Sequence, residues 1–172
     1  MCVREVDAID LARLERDLPS GPAQVHRAHL RSAQTGATTY LAAWQDGQAR
    51  GAGVIRWSGP LGQEARSRYA EVPEIAHLQV GEAHRGQGVG SALMAAAESV
   101  IAGRGHAQVA VGVDQENPRA RALYLRLGYQ HTGLADALRY TWVDLAGVKH
   151  PEIEHTELLV KDLFAGVSRA IG

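Results

Sequence analysis

A single cysteine, Cys2, is all the thiol chemistry this chain has. One cysteine cannot close an internal disulfide, so a reducing compartment is the natural setting and a cytoplasmic location the expectation. A basic excess is missing too. The formal net charge is -1, which is not the footprint of a nucleic-acid binder. No apolar run approaches the ~18 residues of a membrane-spanning helix, and residues 1–7 lack the apolar core of a secretory leader. Fixed-period repeats and low-complexity tracts are also absent. What remains is a chain of 172 residues, 45% hydrophobic and 22% charged. That length and balance predict one globular domain over 1–172, able to bury a core without disulfides or metals.

Hydrophobic spacing divides the chain. Residues 3–6 read as a short strand. Residues 7–17 read as a helix, with Ile9, Leu11, Leu14 and Leu18 at helical spacing and Asp7 as N-cap. Pro19–Pro22 is a break, and a second helix is expected over 23–34. Its His26 and His29 share a face, but no third metal ligand lies near, so they read as surface histidines. Thr38–Gln45 and Gln48–Trp57 flank Asp46-Gly47, a strong hairpin signal. Residues 58–73, with Gly59, Pro60 and Gly62, read as a loop. A strand over 75–80, a helix over 91–102 and a strand over 108–113 follow. Asn117-Pro118 suits N-cap and N1 of another helix. Tyr129–Thr132 starts further strand, and beyond Leu138 two strands are expected, about 138–145 and 154–161. The segment His150-Pro151-Glu152-Ile153-Glu154-His155 reads as a polar connection between them rather than a metal cluster. The order β-α-α-β-β-β-α-β-α-β-β predicts a mixed α/β fold.

The strongest motif is Arg85-Gly86-Gln87-Gly88-Val89-Gly90-Ser91, between a strand and a helix. Alternating glycines let successive backbone N–H groups turn inward together. The helix behind them adds unpaired N–H groups and the positive end of its dipole. Together these suit a pyrophosphate, with Arg85 able to add a charged contact. A P-loop would need a lysine before Ser91 and has none. A dinucleotide fingerprint is a nearer rival, since Asp114 ends the next strand. Its last glycine is misplaced, however, and five residues, Gly81 to Arg85, separate the strand from Gly86.

A second motif follows: Asn117, Ala120, Leu123, Tyr124, Gly128 and Tyr129, in the pattern N-x-x-A-x-x-L-Y-x-x-x-G-Y. With Arg85, Gly88 and Gly90 in R-x-x-G-x-G, and Leu78-Gln79-Val80 before the loop, the chain resembles the GNAT superfamily of N-acetyltransferases over nearly its whole length. One local departure is Gly81-Glu82-Ala83-His84, where the family often has a proline and an aromatic.

The resemblance implies a partly splayed mixed sheet flanked by helices. It also implies acetyl-CoA as co-substrate, with no metal. The pantetheine arm would pair with backbone groups of Leu78 and Val80. The pyrophosphate would sit on Arg85, Gly86, Gln87, Gly88, Val89, Gly90 and Ser91, and Asn117 would contact the coenzyme besides capping its helix. It further implies Tyr124 as the acid that protonates the departing sulfur and the Val80 N–H as oxyanion donor. For the base it offers Glu74, with His77, Glu71 and a water relay as alternatives. From its place beside a proline loop, Glu74 otherwise reads as a solvated surface carboxylate. Cys2 precedes the first strand, so direct transfer in a ternary complex is expected over a covalent acetyl-cysteine. The acceptor would be an amine, a small molecule before a protein N-terminus or lysine. A non-catalytic acyl-CoA-binding module is the alternative of another class. The acceptor pocket is expected from the N-terminal helices, the 58–74 loop and the last strands, and no dense acidic patch that would select polycations is visible in the sequence. Of Trp44, Trp57 and Trp142, at least two are expected in the core. A homodimer through the last strands is compatible with this reading.

Overall fold

The computed structural model describes residues 1–164; the one-domain expectation also covers 165–172, which lie outside the described residues. The elements run β1 (Cys2–Glu5), α1 (Leu11–Asp17), α2 (Val25–Gln34), β2 (Thr38–Gln45), β3 (Gln48–Arg56), α3 (Gln63–Tyr69), β4 (Glu74–Val80), α4 (Val89–Gly103), β5 (Gln108–Asp114), α5 (Pro118–Arg126), β6 (Gln130–Val143) and β7 (Lys149–Asp162). One seven-stranded sheet takes the order β1-β2-β3-β4-β5-β7-β6. All neighbours are antiparallel except β4 and β5.

Local chemistry explains most boundaries. Asp46 (φ 53°) and Gly47 (φ 75°) form the left-handed pair of a two-residue hairpin between β2 and β3. Asn117 caps α5, its side chain accepting from the Ala120 amide at 3.0 Å, with Pro118 at N1. Two apolar layers then cover the sheet. On one face α4 and α5 bury Leu93, Met94, Ala97, Ile101 and Tyr124 against Leu41, Ile55, Ile75, Val109 and Val111. On the other, α1 and α2 bury Leu14, Leu18 and Leu30 against Tyr40, Ala42 and Val54. Each fully buried large side chain contributes about 1.5–3 kcal/mol.

Three expectations are corrected. Residues 63–69, read as loop, are α3. Its N-terminus is capped from 72 residues away, as Asp136 of β6 accepts from the Glu64 amide at 2.9 Å and the Ala65 amide at 3.0 Å. No local signal could announce that cap. The C-terminal strands are one long hairpin, because β6 runs through a bulge between His131 and Ala135 instead of stopping. Residues 150–155 therefore lie in β7, not in a connection. Finally, His26 is buried, at 1% exposure. Its Nε2–H donates to the Leu18 carbonyl at 2.5 Å, and Nδ1 accepts from the Tyr40 hydroxyl at 2.6 Å. That tautomer follows because a carbonyl can only accept.

Asp10 is fully buried at the front of α1 and accepts from Arg4 Nη1 at 2.6 Å, Arg4 Nη2 at 2.7 Å and the Asp7 amide at 3.2 Å. Asp10→Ala is expected to cost about 1.5–3 kcal/mol, the range for hydrogen bonds to a charged group, read as a lower urea midpoint. Arg4 holds the Asp10 carboxyl below the usual carboxylate range. Its contribution is therefore present above about pH 4 and is lost as pH falls through the depressed value.

Candidate functional site

The parallel pair is where the sheet opens. β4 and β5 share only two register pairs, Glu74 with Ala110 and Ile75 with Val111. The cause lies in β4. Ala76 faces Val54 and Gln79 faces Ala52, so His77 and Leu78 together oppose the single residue Gly53. This is a bulge, and His77 takes φ 52° to make it. A bulged strand bends, and beyond Ile75 the β5-facing edge of β4 is left without a strand partner.

Leu78 and Val80 lie along that free edge, with their side chains packed into the α4–α5 layer, so the cleft can use their backbone groups. At the end of β4 a short 3-10 turn (Glu82–His84) leads to Arg85. Gly86 (φ 77°) and Gly88 (φ 82°) then sit in the left-handed region, which glycine adopts without strain. Among the described residues, no group accepts a hydrogen bond from the six consecutive amides of Gly86 to Ser91. Those amides include the first turn of α4, so a concave, unpaired run of donors meets the positive end of a helix. Val89 is buried and can contribute only its backbone, and the Gln87 side chain donates to the Ala83 carbonyl at 2.9 Å. A Cβ on Gly90 would lie 3.1 Å from Leu123 Cδ2 and 3.8 Å from Val80 Cγ2. The missing side chain thus lets the start of α4 approach both β4 and α5. These residues fit an extended, pyrophosphate-bearing ligand: a free strand edge for its arm and a donor cradle for its charge.

Tyr124 is 5% exposed, its ring against Tyr129 at 5.9 Å. No described residue hydrogen-bonds its hydroxyl. Its pKa is pushed up to about 12, first by burial and then by the charge of Glu74. At neutral pH the hydroxyl keeps its proton and can give it.

Glu74 differs from the solvated carboxylate that its sequence context suggests. It is 7% exposed and paired with the Arg56 guanidinium. A Cβ on Gly112 would come within 3.0 Å of Glu74 Oε1, so glycine makes the room. Burial raises the Glu74 pKa and outweighs the opposing pull of Arg56. Of the alternatives for the base, Glu71 is exposed. His77 opens into a cleft of about 240 Å³ lined by Val25, His29, Tyr40 and Gln79 among others. The His29 ring lies tilted against His77 at 4.8 Å and against Tyr40 at 5.3 Å. Burial, then His77, pushes the His29 pKa down to about 4. His77 is lowered by the surrounding protein and then by Arg56. Both rings are neutral at pH 7.

Leu78, Val80, Val89 and Tyr124 thus meet in the α4–α5 layer beside the 85–91 loop, while Glu74 stands at the start of β4 next to Gly112 of β5. Asn117 stands at the head of α5 with its oxygen committed to the cap. Sequence reasoning did not single out Arg56, Gly112 or Tyr40. They enter through the β3–β4 and β5–β7 registers and through the α2–β2 contact, none of which leaves a local signal. Among the described residues, no group of three or more His, Cys, Asp or Glu is placed to hold a metal, and no helix is long and apolar enough to cross a membrane.

Comparison with known proteins agrees with this geometry. The model of the Acetyltransferase (GNAT) family matches residues 8–129. The chain belongs to that family. Comparison with curated proteins finds no match. Among solved structures it is similar to the ribosomal-protein-alanine N-acetyltransferase of Brucella melitensis (TM-score 0.63, 18% identity, 94% of this chain and 99% of that one). It is also similar to yncA of Salmonella typhimurium with its cofactor acetyl-CoA (0.62, 18%, 95% and 94%). An aminoglycoside 6'-N-acetyltransferase complexed with coenzyme A is a third (0.60, 14%, 95% and 97%). At such identities the likeness is one of fold.

Proposed function

We propose that this protein is an N-acetyltransferase that moves an acetyl group from acetyl-CoA directly to an amine in a ternary complex. The observation that carries the reading is Tyr124: a buried, protonated hydroxyl that no described residue hydrogen-bonds, in the helical layer that also holds Leu78 and Val80 of the splayed strand. In this reading the pyrophosphate lies on the amides of Gly86 to Ser91 with Arg85 beside it. The pantetheine arm pairs with the free edge at Leu78 and Val80, and Asn117 contacts the coenzyme. The fit of these residues and the coenzyme-bound relatives of the same fold both support it.

The chemistry needs an amine without its proton. A free lysine-type amine titrates near 10.4, so a base is required. Glu74, raised by burial, takes that proton. The amine nitrogen bonds to the thioester carbon and the oxyanion meets the Val80 N–H. The C–S bond then breaks: Tyr124 donates its proton to the leaving sulfur, and the second proton of the acylated nitrogen passes through solvent to the tyrosinate, leaving a neutral amide, a free thiol and a protonated Tyr124.

A small-molecule acceptor is favoured over a protein N-terminus or lysine by the modest size of the His29–His77 cleft. The free Tyr124 hydroxyl argues against a non-catalytic acyl-CoA-binding module. The test is a thermal-shift panel with acetyl-CoA, CoA, NAD and NADP. A ligand at ~100 times its Kd adds about 2.7 kcal/mol, or roughly 5–11 °C here. Shifts with acetyl-CoA and CoA alone support the reading, whereas a shift only with NAD or NADP reopens the dinucleotide alternative and sinks it.

A further inference from the structure

We propose that Tyr129, locked by Glu98 and Lys161, is a positioning residue that holds the Tyr124 ring where its hydroxyl meets the coenzyme's sulfur. This rests on the acetyltransferase reading above and adds to it the residues that aim the acid.

Tyr124 needs such support. No described residue hydrogen-bonds its hydroxyl, so packing alone sets the direction of the O–H group. The aromatic ring against it is Tyr129, with centroids 5.9 Å apart and planes tilted by 56°. A tilted aromatic pair fixes orientation as well as distance. The backbone repeats the link. Helix α5 ends at Arg126, Gly128 turns the chain at φ 91°, and the Tyr129 amide donates back to the Tyr124 carbonyl at 3.1 Å. Tyr129 therefore holds Tyr124 by both its ring and its backbone.

Tyr129 is itself fixed at its far end. It is 2% exposed, and its hydroxyl donates to Glu98 Oε1 at 2.9 Å. Lys161 Nζ donates to Glu98 Oε2 at 2.7 Å and lies 5.6 Å from the centre of the Tyr129 ring. Both carboxylate oxygens are engaged, and the three side chains close a triangle. Glu98 comes from α4, Lys161 from β7 and Tyr129 from the turn between α5 and β6. The triangle thus ties the end of α5 to α4 and to the sheet. Burial and then the charge of Glu98 push the Tyr129 pKa upward, so its hydroxyl stays a donor.

Core packing does not ask for this. The layer that holds both tyrosines is otherwise built from apolar side chains such as Leu93, Met94, Ala97, Val111 and Leu159. A phenylalanine at 129 would fill the same space without burying a hydroxyl. Buried ion pairs are often no more stabilising than apolar residues of the same volume, whereas a fully bonded polar network admits one arrangement. The triangle supplies a single orientation for Tyr129, and through it for Tyr124. That matters for the chemistry, because misplacing a reacting group by ~1 Å costs about 10²-fold in rate.

The experiment needs no acceptor. The five tyrosines are labelled with carbon-13 at Cζ, and the Tyr124 signal is assigned by its loss in Tyr124→Phe. The readout is the difference between the shifts that CoA and desulfo-CoA, which lacks the sulfur, cause in that signal. In the wild type CoA moves the Tyr124 signal further than desulfo-CoA does. In Tyr129→Phe the difference is expected to fall by at least half, while both ligands still raise the melting temperature. Glu98→Gln, which keeps the Tyr129 ring and hydroxyl but breaks the ion pair, should act in the same direction. Asp10→Ala destabilises the fold away from Tyr124 and should leave the difference unchanged. An unchanged difference in Tyr129→Phe and Glu98→Gln, or an equal fall in Asp10→Ala, overturns the inference and leaves the acetyltransferase reading standing. If both ligands bind the wild type but move the Tyr124 signal equally, Tyr124 does not meet the sulfur, and the inference falls with the acid role. Binding of neither ligand overturns the acetyltransferase reading and the inference together.

Discussion

Tyr124→Phe is expected to lower kcat by roughly 10–10³-fold while acetyl-CoA binding stays nearly intact. The change removes one oxygen that no described residue hydrogen-bonds, so the described fold loses no hydrogen bond. The ring stays against Tyr129. A loss in kcat with an unchanged coenzyme Kd would place the hydroxyl in the chemical step. A thiol that leaves as the unprotonated thiolate should matter less when it is intrinsically acidic. Tyr124→Phe should therefore recover part of its loss on an activated thioester with a lower leaving-group pKa. An unchanged kcat removes Tyr124 from the mechanism.

Glu74→Gln carries two effects that must be separated. As a base, Glu74 accounts for about 10²–10⁴ in rate. Its loss should abolish the acid limb of the kcat/KM profile, which in the wild type lies above the ordinary glutamate value of about 4.3 because burial raises the carboxyl. As the partner of Arg56, it also protects a guanidinium whose side chain keeps only 16% of its exposure. Leaving one half of a buried pair alone costs about 3–5 kcal/mol, and the residual exposure puts this case near the lower figure. Urea unfolding measures that cost directly. Arg56→Gln resolves the two roles. It breaks the same pair but keeps the carboxylate, and it removes the charge that pulls the Glu74 pKa down. The acid limb should survive and move to higher pH. If Glu74→Gln keeps the limb, Glu74 is not the base and His77 becomes the group to test.

Much of this was legible because it is written locally. The Asp46-Gly47 turn, the Asn117-Pro118 start of α5 and the spaced glycines of 85–91 each act within a few residues of chain, and pattern reading reaches that far. What escaped depends on partners brought from a distance. Helix α3 has Gly62 at its N-cap position and owes its cap to Asp136. The burial of His26 needs the Leu18 carbonyl and the Tyr40 hydroxyl at once. Glu74 looks like a surface carboxylate until Arg56 and Gly112 are set beside it by two different strand pairings. Of the three tryptophans, Trp44 is buried and Trp57 packs at the edge of the core, while Trp142 stands on the open hairpin stacked on His150.

The two register pairs between β4 and β5 also have a mechanical meaning. The sheet consists of two plates, β1 to β4 and β5-β7-β6, hinged along a line only two residues long. Two things hold the hinge at its angle. On one side α4 lies across both plates as a brace, touching β4 and β5. On the other, Glu74 acts as a rivet, paired with Arg56 of β3 and packed against Gly112 of β5. The angle between the plates sets how far β4 and β5 diverge beyond their two paired residues. The carboxylate read as the base is therefore also the part that sets how far apart the reacting groups stand.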